Sequence, residues 1–259
     1  MTIADIINAI NDYAPLNLQE SWDNSGLQVG DPNANCTGVL LCVDVSPAIL
    51  QEAIARKCNL VVSHHPLIFK GLKHICPTES KVQQSVYAAI KGGITIFSSH
   101  TALDSASEGI SREMAKMIGA NPLHPLQPGA DAATGLGCIA EFAQPVSCND
   151  FIKILKSAFN INMIRGSWQS RAIKRIGLCG GSGGEFIPKA IKEGCDAFLT
   201  ADVRYHDFVD YGEDIFIADI GHFESEECSK QIFYRIISEK FPNFAVYKSE
   251  IEKNPIIYI

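Results

Sequence analysis

The hydrophobic positions of this chain fall into two recurring patterns, short apolar runs and one-sided helical spacing. Residues 38–45, 59–63 and 94–98 are short, nearly continuous apolar runs, which is typical of strands buried on both faces. Between these runs apolar residues recur at helical spacing, and Ser46-Pro47 supplies an N-cap and a first-turn proline. The first half therefore predicts alternating strands and helices, as in a sheet covered on both sides.

A segment rich in proline, 121–129, interrupts this alternation and predicts a domain boundary. A second alternating set follows it, with predicted strands at 135–142, 173–179, 196–200 and 215–219 and predicted helices at 149–159, 185–192 and 224–240. Short extended pieces at 244–247 and 255–258 are expected to return to the first half. The predicted fold class is α/β, with a discontinuous first domain over 1–126 plus 227–259, a second domain over 127–226, and a metal cleft between them.

Composition narrows the class of protein. The 259 residues are 46% hydrophobic and 20% charged, which is typical of a soluble globular protein. A net charge of −7 without a basic run disfavours nucleic acid as a partner, and no apolar run is long enough to span a membrane. The start carries no signal-like segment, and the nine cysteines include no Cys-x-x-Cys pair. We therefore expect a cytoplasmic protein with reduced, buried thiols.

Three clusters of histidine and carboxylate indicate chemistry beyond folding. Each follows a predicted strand, and in two of them a carboxylate stands four residues after a histidine. In open α/β sheets ligands collect at the carboxyl ends of the strands, so these clusters are expected to converge on one cleft. The residues concerned are His64, His65, His100, Asp104, His222 and Glu226.

The adjacent histidines favour a site with two metal ions. Consecutive residues on a strand point to opposite sides, and Pro66 biases His65 toward an extended conformation, so His64 and His65 are expected to diverge. Diverging rings are easier to place on two neighbouring ions, with Asp104 or Glu226 shared between them. Imidazole and carboxylate suit Zn, Mn, Fe, Co or Ni, and two such ions are typical of hydrolysis.

Four ordered motifs carry a family resemblance that spans nearly the whole chain. They are WDNSGLQVG at 22–30, SHHPL at 63–67, HTALD at 100–104 and GHFESE at 221–226. The chain resembles the GTP cyclohydrolase I type 2 homologues, also called NGG-interacting-factor-like dinuclear metal-centre proteins. The resemblance implies two interlinked three-layer α/β domains with sheets flanked by helices, a homo-hexamer, and GTP cyclohydrolase-like activity. It also implies two divalent metal ions per chain, bound by His64, His65, Asp104, His222 and a bridging Glu226.

Several further residues are candidates for supporting roles. His100 and His206 are candidates for proton transfer, although His206, beside Asp207, more simply anchors a short helix. The loop 180–184, GGSGG, follows a predicted strand and opens a predicted helix, so Gly181, Ser182 and Gly183 are candidates for substrate binding. Trp22 is expected to be an anchor of the hydrophobic core.

Two functional hypotheses follow. The first is a metal-dependent hydrolase acting on a small, nucleotide-like substrate. The second is a non-catalytic hexameric scaffold that stores or delivers metal. Both hypotheses use the same ligands, and the additional polar groups near the ligands favour the enzyme.

Overall fold

The apolar runs of the sequence form one main sheet in each of two units of the chain. The computed structural model describes residues 1–168 and 170–257. The first unit comprises Met1–Leu103 and Ser229–Ile259, and the second comprises Asp104–Cys228. The predicted fold class is confirmed, because both units are α/β with sheets flanked by helices.

The strands are short, as expected for elements buried on both faces. In chain order they are β1 Gly26–Val29, β2 Val39–Cys42, β3 Leu60–Ser63, β4 Thr95–Ser98, β5 Asn121–His124, β6 Gln127–Pro128, β7 Gly135–Leu136, β8 Cys138–Val146, β9 Arg165–Gly166, β10 Ile173–Ser182, β11 Ala197–Ala201, β12 Phe216–Asp219 and β13 Val246–Lys248.

The helices begin at polar caps in several cases, including Thr2, Ser46, Ser80 and Ser147. In chain order they are α1 Ile3–Tyr13, α2 Pro47–Ala55, α3 Lys81–Gly92, α4 Thr101–Ser105, α5 Ile110–Met117, α6 Cys148–Ala158, α7 Ile187–Lys192, α8 Tyr205–Tyr211, α9 His222–Glu226 and α10 Ser229–Lys240. Short 3-10 turns lie at Leu16–Leu18 and Gly184–Phe186. None of the helices in the described residues has the length and apolar character needed to cross a bilayer.

The sheet of the first unit has the strand order β1-β4-β3-β2-β13. Its strands are parallel except for β1, which pairs antiparallel with β4. Leu40, Val61 and Ile96 contribute one residue each from β2, β3 and β4 to a core that α2 and α3 cover. Because β2, β3 and β4 run parallel, their carboxyl ends lie along the same edge of the sheet.

The sheet of the second unit has the strand order β5-β8-β10-β11-β12-β9. The three central strands β10, β11 and β12 are parallel, and the strands that flank them pair antiparallel. Ile139, Phe198 and Ile217 pack with Ile187 and Ala190 of α7 in the core of this unit. The carboxyl ends of the three parallel strands again share one edge.

The division between the units differs from the boundary that the sequence predicts at 126/127 and 226/227. The chain passes from the first unit to the second at Leu103/Asp104. The reason is that α5 packs on β10 and β5 pairs with β8, so α5 and β5 belong to the second unit. The carboxyl-terminal segment returns to the first sheet, where β13 pairs in parallel with β2.

Three predicted elements differ in extent. The helix predicted at 185–192 is a 3-10 turn up to Phe186 followed by α7, and the helix predicted at 224–240 is divided into α9 and α10. The backbone at 255–257 is not a strand, and Tyr258, which ends the extended piece predicted there, lies outside the described residues.

Candidate metal centre

Three neighbouring parallel strands of the first unit end in polar side chains with metal-binding character. Asp44 follows β2, His64 and His65 follow β3, and His100 follows β4. His64, His65 and His100 each offer a ring nitrogen, and these nitrogens lie within 4.8 Å of one another. The first unit therefore gathers three of the histidines that the sequence singled out.

The expected divergence of His64 and His65 is wrong. Their ring centroids lie 5.1 Å apart, and each lies 5.3 Å from the ring of His100. The rings converge because β3 ends at Ser63, so the alternation of side chains along a strand stops before the histidine pair. The geometric argument for two ions that rested on divergence therefore no longer applies.

The Nδ1 atom of each of these histidines is hydrogen-bonded to an oxygen that can only accept. His64 donates to the backbone oxygen of Ser99 at 3.1 Å, and His65 donates to Oδ1 of Asp44 at 2.9 Å. An acceptor on Nδ1 fixes the tautomer in which Nδ1 carries the hydrogen and Nε2 keeps its lone pair. This tautomer is the one that binds a metal through Nε2.

His100 has the most elaborate support of the three. Its Nδ1 lies 2.8 Å from Oδ1 of Asp23, whose side chain is completely buried. Asp23 also accepts hydrogen bonds from the backbone and hydroxyl of Thr101 and from the hydroxyl of Ser25. Burial raises the pKa of Asp23, but the hydrogen bonds from His100, Thr101 and Ser25 outweigh burial and hold the pKa well below its usual range. Asp23 is therefore a buried carboxylate anion that orients His100.

The second unit repeats this arrangement at the ends of β11 and β12. Asp202 follows β11, and its Oδ2 lies 2.6 Å from Nδ1 of His222, the first residue of α9. Nε2 of His222 lies 3.1 Å from Oε2 of Glu226, one helical turn further on. The hydrogen bond to Glu226 raises the pKa of His222, burial lowers it, and Asp202 raises it again, to a final value of about 9. His222 and Glu226 thus form a charged pair, and once His222 loses its Nε2 proton each side chain offers a metal-ligating atom.

The charges of Asp104 and Glu226 raise the pKa of the same two buried thiols of the second unit. Burial raises the pKa of Cys179 and of Cys228, and the charges of Asp104 and Glu226 raise both pKa values further. Asp104 is half-buried near the end of α4, and Glu226 is buried on α9. Of the ligands that the sequence predicts in the second unit, His222 and Glu226 are in direct contact, and Asp104 lies on α4. All nine cysteines of the chain are free thiols.

Asp202 has a backbone conformation that is costly for a residue with a side chain. Its φ is 53°, in the left-handed region that favours glycine. Such strain persists where the surroundings require the conformation, and here it accompanies the short contact to His222. Asp202, Asp44 and Asp23 are supporting residues that the sequence pattern did not indicate, although Asp23 lies in the WDNSG motif.

The glycine loop has its backbone donors already engaged. The amides of Gly181 and Gly183 donate to the hydroxyls of Ser225 and Thr200, both at 2.9 Å. β10 continues to Ser182, whose side chain is exposed, so the first part of the loop is a strand rather than a helix N-terminus. Gly181 has a φ of +61°, and a Cβ added there would lie 2.2 Å from Oε1 of Glu226. Glycine at this position thus leaves room for the Glu226 carboxylate.

Two further candidate residues lie in exposed positions. His206 is exposed on α8, with its ring 5.4 Å from that of Tyr205. Beside it, Asp207 pairs with Arg204 and caps the helix. The expectation that Trp22 anchors the core is wrong, because 57% of this residue is exposed. It lies in a turn held by polar hydrogen bonds rather than by apolar packing.

Comparison with known proteins finds relatives in one family and a solved structure with the same fold. The model of the DUF34/NIF3 (NGG1p interacting factor 3) family matches residues 1–255. A GTP cyclohydrolase 1 type 2 homolog of Clostridium perfringens is 35% identical over 230 residues, which cover 87% of each chain. The NIF3-like protein 1 of Drosophila melanogaster is 26% identical over 265 residues, covering 99% of this chain and 89% of the fly protein.

A solved structure has the same fold over the full length. The crystal structure of a Staphylococcus aureus hypothetical protein superposes with a TM-score of 0.92 at 28% identity, covering 100% of this chain and 99% of the other. The resemblance inferred from the four motifs is confirmed: this chain belongs to the DUF34/NIF3 family.

Proposed function

We propose that this protein is a metal-dependent hydrolase acting on a small, nucleotide-like molecule. In this proposal the chain binds two divalent ions, with Glu226 shared between the ions. The observation that carries the proposal is the tautomer fixed on His64, His65 and His100 by an acceptor on Nδ1. The proposed ligands are His64, His65, Asp104, His222 and Glu226.

The donor set of each unit fits a divalent transition metal. The first unit supplies imidazoles with Nε2 lone pairs, and the second supplies two carboxylates and His222. Imidazole and carboxylate without sulfur suit Zn, Mn, Fe, Co or Ni. The chemistry that such ions supply when bound is a lower pKa for water and polarisation of a substrate oxygen.

The residues around the ligands have proposed roles in moving protons and holding the substrate. His100 is proposed as a proton-transfer residue, because Asp23 orients its ring through the hydrogen bond to Nδ1. His206, exposed on α8, is proposed as a second proton-transfer residue. Ser182, exposed at the end of β10, is proposed as a substrate contact, with Gly181 and Gly183 shaping the backbone beside it.

Metal content and turnover test the proposal together. Elemental analysis of the purified protein is expected to give about two divalent ions per chain. The metal-loaded protein is then incubated with GTP, other nucleotides and small phosphoesters, and products are followed by chromatography. Glu226→Gln is expected to abolish turnover and to lower the metal content. Glu79→Gln is the matched control, because Glu79 also pairs with a histidine, His74, but both are exposed.

A non-catalytic role is the alternative outcome. A scaffold that stores or delivers metal would retain about two ions per chain and turn over none of the substrates. A metal content near zero in protein purified without chelators would contradict both functions. We also propose that the protein forms a homo-hexamer, as the family resemblance implies, which light scattering after size-exclusion chromatography tests directly.

A further inference from the structure

Two exposed aromatic side chains lie beside the histidines of the first unit. Trp22 is 57% exposed and Phe69 is 48% exposed, and their ring centroids are 6.0 Å apart. The ring of His100 lies 5.9 Å from that of Trp22 and 6.4 Å from that of Phe69, with an edge-to-face orientation to both. The aromatic pair therefore borders the group of three histidines.

Hydrogen bonds join the two segments that carry this pair. The turn after Trp22 and the segment before Phe69 are joined by Asn24, whose Nδ2 donates to the backbone oxygen of Ile68 at 2.6 Å. Gln28 joins the same two segments, because it accepts from the amide of Ile68 and donates to the backbone oxygen of Asn24. Two large apolar rings are thus held at the surface by polar contacts to the backbone, an arrangement suited to binding another ring.

We propose that Trp22 and Phe69 form a binding surface for a planar aromatic ring of the substrate. This inference rests on the proposed function and adds the residues that bind the ring of the substrate. The pair is tilted by 49°, and 6.0 Å is less than the roughly 7 Å that a ring inserted between two rings would need. The ligand ring therefore stacks on an outer face of the pair, next to His100.

The position of the pair favours a small ring over a macromolecule. Because both side chains lie within 6.4 Å of the His100 ring, a protein seated on them would also cover His100 and block access to its neighbours. A planar ring stacked on Trp22 or Phe69 leaves the histidines accessible and brings the rest of the substrate close to them. Stacking of a base on an aromatic side chain contributes about 1–3 kcal/mol per base, and 1.4 kcal/mol is a factor of ten in affinity.

Fluorescence gives a direct test, because the chain has two tryptophans, Trp22 and Trp168. Trp168→Phe leaves Trp22 as the sole tryptophan, and Trp22→Phe leaves Trp168, which is 73% exposed. Zinc-loaded protein is titrated with guanosine, adenosine and ribose 5-phosphate. We expect both nucleosides, but not ribose 5-phosphate, to quench Trp168→Phe saturably, with no saturable quenching of Trp22→Phe. The proposal is overturned if neither nucleoside quenches Trp168→Phe saturably, or if both variants are quenched equally.

Calorimetry of guanosine binding separates this inference from the proposed hydrolase. Trp22→Ala and Phe69→Ala are each expected to weaken guanosine binding about tenfold while leaving the zinc content unchanged. Tyr87→Ala is the matched control, since Tyr87 is 46% exposed in the same unit and is expected to leave affinity unchanged. If guanosine binds but none of the tested substrates is turned over, the hydrolase proposal fails and the proposed aromatic surface stands. Unchanged affinity for guanosine in both alanine variants overturns the proposed binding surface. If these variants also break up an oligomer, the two rings form contacts between copies of the chain instead.

Discussion

Nδ1 of His100 donates to Oδ1 of Asp23 across 2.8 Å, and the Asp23 side chain has no exposed surface. A buried carboxylate is costly unless its oxygens are satisfied, and here every donor comes from the turn at 23–25 or from His100 and Thr101. The WDNSG and HTALD motifs are therefore two halves of one hydrogen-bonded structure. Its effect is to fix the orientation and tautomer of a single imidazole.

Replacement of Asp23 by asparagine is expected to weaken metal binding. The amide presents two donor hydrogens where the carboxylate only accepts, so it cannot satisfy His100, Thr101 and Ser25 together. The ring of His100 lies 5.3 Å from the rings of His64 and His65, both proposed ligands, so its displacement is expected to disturb them. Loss of a partner that orients a metal site typically costs about 10- to 100-fold in metal affinity. We expect a loss of this size for Asp23→Asn in zinc competition titrations with a chromophoric chelator.

The control for this substitution is Asp12→Asn, which changes an exposed carboxylate in the same unit. It is expected to leave the zinc affinity within experimental error of the wild type. If Asp23→Asn also retains wild-type affinity and His100 keeps its nitrogen chemical shifts, the orienting role of Asp23 is excluded.

Gly181 is expected to be required for the position of Glu226. An alanine there would place its Cβ 2.2 Å from Oε1 of Glu226, the far end of a flexible side chain, so the carboxylate would move while the fold survives. The amide of Gly181 also donates to Ser225, and Ser225 donates to the backbone oxygen of His222, so the loop and α9 are joined on both sides of the carboxylate. Gly181→Ala should therefore lower metal affinity more than it lowers stability.

Gly194→Ala is a matched control for backbone strain. Gly194 has a φ of +72°, close to the +61° of Gly181, but nothing lies within 4 Å of the Cβ that alanine would add. Both variants are expected to lose about 1–3 kcal/mol of unfolding free energy in urea titrations. Only Gly181→Ala is expected to lose zinc affinity as well, and equal zinc affinities in the two variants would contradict the steric argument.

The buried pair of Lys230 and Glu252 is expected to contribute strongly to the stability of the first unit. Nζ of Lys230 lies 3.1 Å from Oε2 of Glu252, and both side chains are only 6% exposed. Lys230→Met leaves the carboxylate of Glu252 buried without this cation, and removing one partner of a buried pair typically costs about 3–5 kcal/mol. Chemical unfolding should show this loss, and the double variant Lys230→Met/Glu252→Gln should recover most of it. A double variant as unstable as the single one would refute the role of the uncompensated charge.

Much of the fold and of the ligand set was accessible from sequence because both depend on local patterns. The runs at 38–45, 59–63 and 94–98 are strands in the structure, and the histidines that follow two of them lie at one edge of a parallel sheet. The position of these histidines could be predicted because parallel strands bring their carboxyl ends to the same edge of a sheet.

The carboxylates that orient the histidines could not be predicted from local sequence patterns. Asp44 and Asp202 are single carboxylates after strands, where an acidic residue more often shapes a turn, and only their contacts to His65 and His222 distinguish them. The direction of His64 and His65 depends on β3 ending at Ser63, and strand ends are set by pairing with neighbouring strands rather than by local propensity. The exposed position of Trp22 likewise depends on hydrogen bonds between segments distant in sequence.

Two buried glutamates of the first unit are expected to make the stability depend on pH in opposite ways. Burial raises the pKa of Glu52, but hydrogen bonds from Ser249, Glu250 and Arg56 outweigh burial and lower the pKa below its usual value of 4.5. Burial dominates at Glu252 and raises its pKa above 4.5, against the hydrogen bonds from Asp44, Lys230 and Val43. When the protein unfolds, the pKa of Glu52 therefore rises and the pKa of Glu252 falls.

The signs follow from which state binds more protons. At Glu52 the unfolded state binds the proton more tightly, so the stability that this group contributes is present above pH 4.5 and is lost as the pH falls through the lowered folded pKa. At Glu252 the folded state binds the proton more tightly, so the contribution is complete below pH 4.5 and is lost as the pH rises through the raised folded pKa.

Unfolding free energies measured by urea titration between about pH 3 and pH 7 test both signs. The difference in free energy of unfolding between the wild type and Glu52→Gln is expected to shrink as the pH falls below 4.5, because the wild type loses the contribution that glutamine never had. The difference between the wild type and Glu252→Gln is expected to grow as the pH falls toward 4.5. Differences that change in the same direction for both variants would show that the two glutamates do not have opposite pKa shifts, because one group's proton affinity must rise on folding where the other's falls.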